Sequence, residues 1–147
     1  MAEDRVLSTE RTVPFSPQAV YDAFSSAEVL ASWWGPDGFT NTFEAFDFKV
    51  GGRWAFVMHG PDGKSYPNTS LFVALEPASL VVIKHDCPPY FTLTVQLKEV
   101  AGGTHLTWKQ TFEDSHTAQA VKRIVGPANE QNIDRLTRAL GRSAGAA

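Results

Sequence analysis

The chain has 147 residues, 43% of them hydrophobic, which suits one globular domain with its own core rather than a disordered segment. Its formal net charge is −3 and it contains no block of Lys or Arg, so neither an electrostatic nucleic-acid binder nor a polybasic membrane anchor is expected. No apolar run approaches the length of a membrane span, and no apolar signal core follows Met1-Ala-Glu-Asp-Arg. With Cys87 as the single cysteine, the expected setting is the cytoplasm, without stable membrane insertion and without an internal disulfide.

Taken in chain order, Arg5 to Val13 alternates as a first strand, stopped by Pro14-Phe15-Ser16-Pro17. Ser16 suits a helix N-cap and Pro17 the first helical position, and a short helix follows with Val20, Ala23 and Phe24 on one face. Ser26 can cap a second short helix carrying Val29, Leu30 and Trp33, which ends in the turn Gly35-Pro36-Asp37-Gly38. The period then changes to two. Strands are predicted over Thr40 to Phe48, Arg53 to His59, Lys64 to Leu75, Leu80 to His85, Phe91 to Leu97 and Thr104 to Phe112. Gly51-Gly52, Gly60-Pro61-Asp62-Gly63, Glu76-Pro77-Ala78 and Ala101-Gly102-Gly103 turn the chain between them, and Pro67 suggests an irregularity early in its strand. Asp114 or Ser115 can cap a last helix running to about Leu140. Its apolar stripe is Ala118, Val121, Ile124, Val125, Ile133, Leu136 and Leu140, with Gly126-Pro127 as an interruption.

Six consecutive antiparallel strands need cover on one face, and one long amphipathic helix supplies it. The fold class is therefore α+β of the helix-grip type. It consists of a curved antiparallel sheet of about seven strands, two short helices after strand 1, and one long C-terminal helix on the concave face. Residues 1–147 form a single domain, ordered over about 5–140, with a mainly apolar pocket between sheet and helix.

Several stretches carry a resemblance. They are Phe15-Ser-Pro-Gln-Ala-Val-Tyr-Asp-Ala-Phe, Trp33-Trp-Gly-Pro-Asp-Gly-Phe, Asp47-Phe-Lys-Val-Gly-Gly-Arg-Trp and Met58-His-Gly-Pro-Asp-Gly-Lys-Ser-Tyr, then the Glu76-Pro turn, Gly103-Thr-His-Leu-Thr and Asn132-Ile-Asp-Arg-Leu. In this order, over nearly the whole chain, the sequence resembles the activator of Hsp 90 ATPase homologue 1-like family within the START/Bet v-like (SRPBCC) helix-grip superfamily. The resemblance implies non-catalytic binding of a small apolar or amphipathic molecule in the cavity between sheet and helix. Two alternatives stand beside it: a cyclase- or hydrolase-type enzyme of the kind found elsewhere in the superfamily, and a chaperone-linked interaction module, with a chaperone or a homodimer as partner.

The residues expected to line the pocket are Trp33, Trp34, Phe39, Trp54, Phe56, Met58, Tyr66, Trp108 and Ile133. Trp54, Phe56 and Met58 share one strand face by period two, and such rings serve equally as core or as cavity lining. Adjacent helical residues point about 100° apart, so one of Trp33 and Trp34 staples the helix to the sheet while the other sits at the pocket mouth. No catalytic residue, metal site or cofactor is expected. His59, His85, His105 and His116 lack metal-ligand spacing, and neither a Gly-x-Ser-x-Gly elbow nor a phosphate-binding loop occurs. For the enzyme alternative, Tyr66 and His85 are the groups to inspect. Cys87, beside Pro88 and Pro89, is read as an inert thiol.

Overall fold

A computed structural model describes the backbone of residues 2–146 and the side chains from Asp4 to Arg142. After a 3₁₀ turn at Ala2–Arg5 come β1 (Val6–Val13), α1 (Pro17–Ser25) and α2 (Ala27–Trp33). The strands β2 (Thr40–Phe46), β3 (Arg53–His59), β4 (Ser65–Glu76), β5 (Leu80–His85), β6 (Phe91–Val100) and β7 (Gly103–Phe112) follow, and α3 (Ser115–Ala146) closes the chain. The seven strands form one antiparallel sheet in the order β1-β7-β6-β5-β4-β3-β2. The chain thus crosses from one sheet edge to the other through α1 and α2. It then meanders back until β7 pairs with β1. This is the helix-grip α+β architecture expected from the sequence.

The helix starts follow from their caps. The Ser16 hydroxyl accepts from the Ala19 N–H at 3.1 Å, Ser26 from Val29 at 3.3 Å, and the Asp114 carboxylate from Thr117 at 2.7 Å. Period two then sends one set of side chains to the concave face. One row across it reads Phe46, Trp54, Ser70, His85, Phe91, Phe112, and the next reads Phe72, Ile83, Leu93, Gln110, Leu7. Register shifts between Phe43 and Ala45 in β2 and between Phe72 and Ala74 in β4 curl the sheet around this face. Trp54 and Trp108, 0% and 2% exposed, share one buried cluster with Ile133, Leu136, Ala139 and Leu140 of α3.

Three local expectations are corrected. The β4 irregularity lies at Phe72–Ala74, not at Pro67, which pairs in register with Val57. β5 joins β4 only from Ser70 onward, so Pro67 sits where that side of the strand is open and a missing N–H removes no ladder bond. Second, α3, one helix with Pro127 inside it as expected, continues past Leu140 to Ala146. Pro127 is exposed, so the carbonyl its ring leaves unbonded is close to solvent. Third, Ile124 is 74% exposed and is not a core residue. The first half of α3 packs over the edge of the sheet, where Ala118 clusters with Leu7 and Phe112, and only the second half crosses the main core. No helix among the described residues is long and apolar enough to cross a membrane.

The turn between β2 and β3 is tied to the middle of the sheet. Gly51 N donates to Phe72 O at 2.7 Å, and Phe72 N donates to Gly52 O at 3.0 Å. A Cβ at Gly52 would overlap the Asp47 carbonyl, whereas one at Gly51, with φ +83°, would meet nothing within 4 Å. Gly52→Ala should therefore lower stability by about 2–4 kcal/mol through a backbone clash. Gly51→Ala should cost only the left-handed backbone penalty of about 1–2 kcal/mol. Denaturant midpoints of the two variants measure the difference, and equal losses would contradict it.

Candidate ligand-binding site

The site is built where α2 ends above the concave face. Trp33, in the last turn of α2, points inward. It donates its indole N–H to Ala23 O at 3.1 Å and packs edge-on against Phe24 at 5.0 Å. Trp34 caps the helix in an extended conformation (φ −66°, ψ 134°), so its ring leaves the helical path. That half-buried ring lies 5.8 Å from Trp33, 5.0 Å from Trp54 and 6.0 Å from Trp108, centroid to centroid. Below it, Trp54 stacks with Phe56 at 4.2 Å and lies parallel to Phe72 at 5.9 Å. Phe43 and Phe46 of β2 complete the aromatic floor.

The loop that carries Trp34 is held by α3. The Arg135 guanidinium donates to the carbonyls of Ser32, Trp34, Gly35, Pro36 and Phe39 at 2.8–3.2 Å. Asn132 donates to Trp33 O at 3.1 Å, and Gln131 accepts from the Asp37 N–H, also at 3.1 Å. From the sheet side, Asn41 Nδ2 donates to Ala31 O and Trp34 O at 3.0 and 2.9 Å. Burial pulls the Arg135 pKa below the ordinary arginine value and neighbouring Asp37 opposes this. The guanidinium stays a cation, and the carbonyl oxygens stand where a carboxylate partner would usually be.

All nine sequence candidates fall in this region. Trp33, Trp54, Phe56, Trp108 and Ile133 are fully buried in the cluster beneath and beside Trp34, and Met58 packs half-buried against it. Phe39 and Tyr66 pair at 6.0 Å on the rim beside the β3–β4 hairpin, where Tyr66 is 42% exposed and its hydroxyl reaches Asp62 at 3.4 Å. Met58 and Phe39 both approach Gly35, whose added Cβ would lie 2.7 Å from Met58 Cε. A groove of about 480 Å³ between β1 and the first half of α3 is lined by polar residues such as Thr9, Gln119 and Asn129. It contains none of the nine candidates.

Buried polar atoms set the chemistry. Among the described residues, Trp54 Nε1, Trp108 Nε1 and Asn41 Oδ1 are buried without a hydrogen-bond partner. The buried polar side chains are Ser70, His85, Thr104, Gln110 and Asn132, none of them a carboxylate. His85, 8% exposed, stacks on Phe91 at 4.5 Å, with Nδ1 2.8 Å from Pro89 O and Nε2 2.6 Å from Asn68 Oδ1. Cys87 Sγ lies 3.5 Å from the same Nε2. Two acceptors facing the ring favour the imidazolium. Burial acts against it and is the larger effect, holding the pKa below the usual imidazole value, while the Pro89 and Cys87 carbonyls and Asp86 pull it up. His85 therefore faces an amide and backbone carbonyls rather than a carboxylate partner, and Tyr66 lies out on the rim.

Sequence reasoning missed Asn41 and Arg135. Arg135 has the position of a solvated charge between Ile133 and Leu136. Its one signal is that it stands inside Asn132-Ile-Asp-Arg-Leu, a stretch that carried the family resemblance.

The sequence profile described as activator of Hsp90 ATPase homolog 1-like protein matches residues 14–141. The chain belongs to this family. The span runs from the end of β1 to the end of the buried part of α3, and so contains the whole aromatic site. Among solved structures, a protein of Nitrosomonas europaea is similar at TM-score 0.88 with 17% identity, covering 97% of this chain and 98% of that one. A protein of Arthrobacter aurescens has TM-score 0.88 at 23% identity, with 97% and 89% covered. An AHSA1-like protein of Aeromonas hydrophila has TM-score 0.75 at 24% identity, with 95% and 94% covered. These likenesses are likenesses of fold. No curated protein matches the chain.

Two outcomes follow for the family member described here. Arg135→Ala should lower stability by about 2–4 kcal/mol, because five loop carbonyls, most of them partly buried, lose their donor, and Arg135→Lys should recover less than half, since an ammonium lacks the fork that spans them. Urea melts of both variants measure this. For His85, a base with a depressed folded pKa binds fewer protons when folded. Its contribution is present above the unfolded value of about 6.5 and is lost as pH falls through the lower folded pKa. Wild type should therefore lose more stability between pH 7.5 and 5 than His85→Gln does, and parallel losses would contradict the assignment.

Proposed function

We propose that this protein binds a small apolar or amphipathic molecule, without catalysis, between the concave face of the sheet and α3, entered beside Trp34. One observation carries the reading. The ring that fills the space among Trp33, Trp54 and Trp108 comes from a loop, is only half-buried, and belongs neither to the sheet nor to α3. Its backbone is pinned by Arg135 and Asn41, while its ring is held by packing against the Trp33, Trp54 and Trp108 rings. An apolar ring of similar size can take its place at small cost, because the surrounding aromatic walls stay buried either way.

A non-catalytic role suits a site walled by aromatic rings: among the described residues no buried carboxylate stands there, and the titratable neighbour of His85 is the Cys87 thiol, 3.5 Å from Nε2.

The test uses the neutral fluorescent probe N-phenyl-1-naphthylamine. Wild type should bind it weakly, and Trp34→Ala should bind it about tenfold or more tightly, since the ring no longer competes for the site. A circular dichroism spectrum confirms that the variant is folded. Equal binding by the two folded proteins would overturn the proposal.

A further inference from the structure

We infer that the bound molecule carries a neutral hydrogen-bond acceptor, a carbonyl or ether oxygen, that is met by the indole N–H groups of Trp54 and Trp108. The inference rests on the binding reading above and names the chemical class that this site selects.

The observation is a contrast within one cluster. Buried indole N–H groups normally find an acceptor. Trp33 obeys this, donating to Ala23 O. Trp54 and Trp108 are as deeply buried, yet neither Nε1 has a partner among the described residues. Both rings flank Trp34. The Trp34 ring lies at 69° to Trp54 and 34° to Trp108, and the most an indole ring offers a donor is its π face, a weak acceptor. The ring we take as the occupant of the site thus leaves two donors unsatisfied. A molecule with an oxygen in that place satisfies them and gains the difference.

Charge narrows the class. A buried carboxylate needs a cation. The Arg135 guanidinium is turned to the loop carbonyls, and Arg11 on the same sheet face is bound by Glu130 and Asp134. His85, two positions across the sheet from Trp54 beyond Ser70, has both ring nitrogens engaged by Asn68 and Pro89, and burial holds it toward the neutral form. No free positive charge among the described residues faces the two indoles. A ketone, ester, amide or ether oxygen fits; a carboxylate does not.

The experiment uses the full chain as wild type, Trp34→Ala and Trp34→Leu, the last keeping apolar bulk if alanine destabilises the fold. The probes are acetophenone, its isostere α-methylstyrene in which CH₂ replaces the oxygen, and benzoate. Affinity is read by titration, and the site by the indole resonances of ¹⁵N-tryptophan-labelled protein, assigned with Trp54→Phe and Trp108→Phe. Acetophenone should bind about fivefold or more tightly than α-methylstyrene, the worth of a hydrogen bond to a buried donor. It should move the Trp54 and Trp108 indole protons downfield, and the preference should vanish when both are phenylalanine. Equal affinity for ketone and isostere, with no indole shift, would overturn the inference and leave cavity binding standing. Tighter binding of benzoate than of acetophenone would overturn the neutral acceptor. Failure of every probe to bind either folded Trp34 variant would overturn the cavity reading itself.

Discussion

The arrangement depends on one half-buried guanidinium. A helix end leaves its last carbonyls without partners, and a tight loop turned inward adds more. Here Arg135 answers those of Ser32, Trp34, Gly35, Pro36 and Phe39 together. The pairing works because the planar fork offers several donors in fixed directions. The cation is stabilised by oriented dipoles instead of by a carboxylate. It also welds two distant pieces of chain, the end of α2 and the buried half of α3, into one wall. With that wall fixed, the direction in which Trp34 leaves the helix is fixed too.

Beneath the wall the core is aromatic to an unusual depth. Rings give large buried area with few rotatable bonds, so they make a rigid floor that survives the exchange of one neighbour for another. Trp54 lies between Phe56 and Phe72, and Phe43 and Phe46 brace it from β2. Rigidity of this kind separates two roles that a softer core would merge. The floor holds the sheet to α3, while Trp34, attached through a pinned backbone, fills the remaining space. The unsatisfied indole donors are the polar complement of that division. Trp33, by contrast, has its indole N–H covered by the Ala23 carbonyl.

Much of this was legible in the sequence, for local reasons. Ser16, Ser26 and Asp114 announce helix starts because a side-chain oxygen beside free N–H groups is a local matter. Alternation in Arg53 to His59 and Phe91 to Leu97 places side chains on faces by geometry alone. The element order, six consecutive strands and one long amphipathic helix, carried the meander and its cover, and the resemblance agreed with it. What stayed hidden depends on pairs far apart in the chain. Arg135 reads as a surface charge until α3 is laid against α2. Asn68 and His85 meet through the pairing of β4 with β5. Ile124 matches an apolar stripe, yet α3 is longer than the face it covers, so its first half has less to bury against. Gly126-Pro127 reads as an interruption because proline removes one hydrogen bond, and the exposed face of α3 tolerates that loss without ending the helix.

The central idea is that Trp34 holds the place of a ligand, and fluorine NMR of protein carrying 5-fluorotryptophan addresses it directly. The four tryptophan resonances can be assigned by single substitutions. On saturation with acetophenone, the Trp34 resonance should move toward the position of an exposed fluoroindole and acquire a solvent isotope shift, while Trp33 keeps its buried signature. A Trp34 resonance that stays buried and unmoved while the ligand binds would show that the ring is ordinary core and that the molecule is held elsewhere.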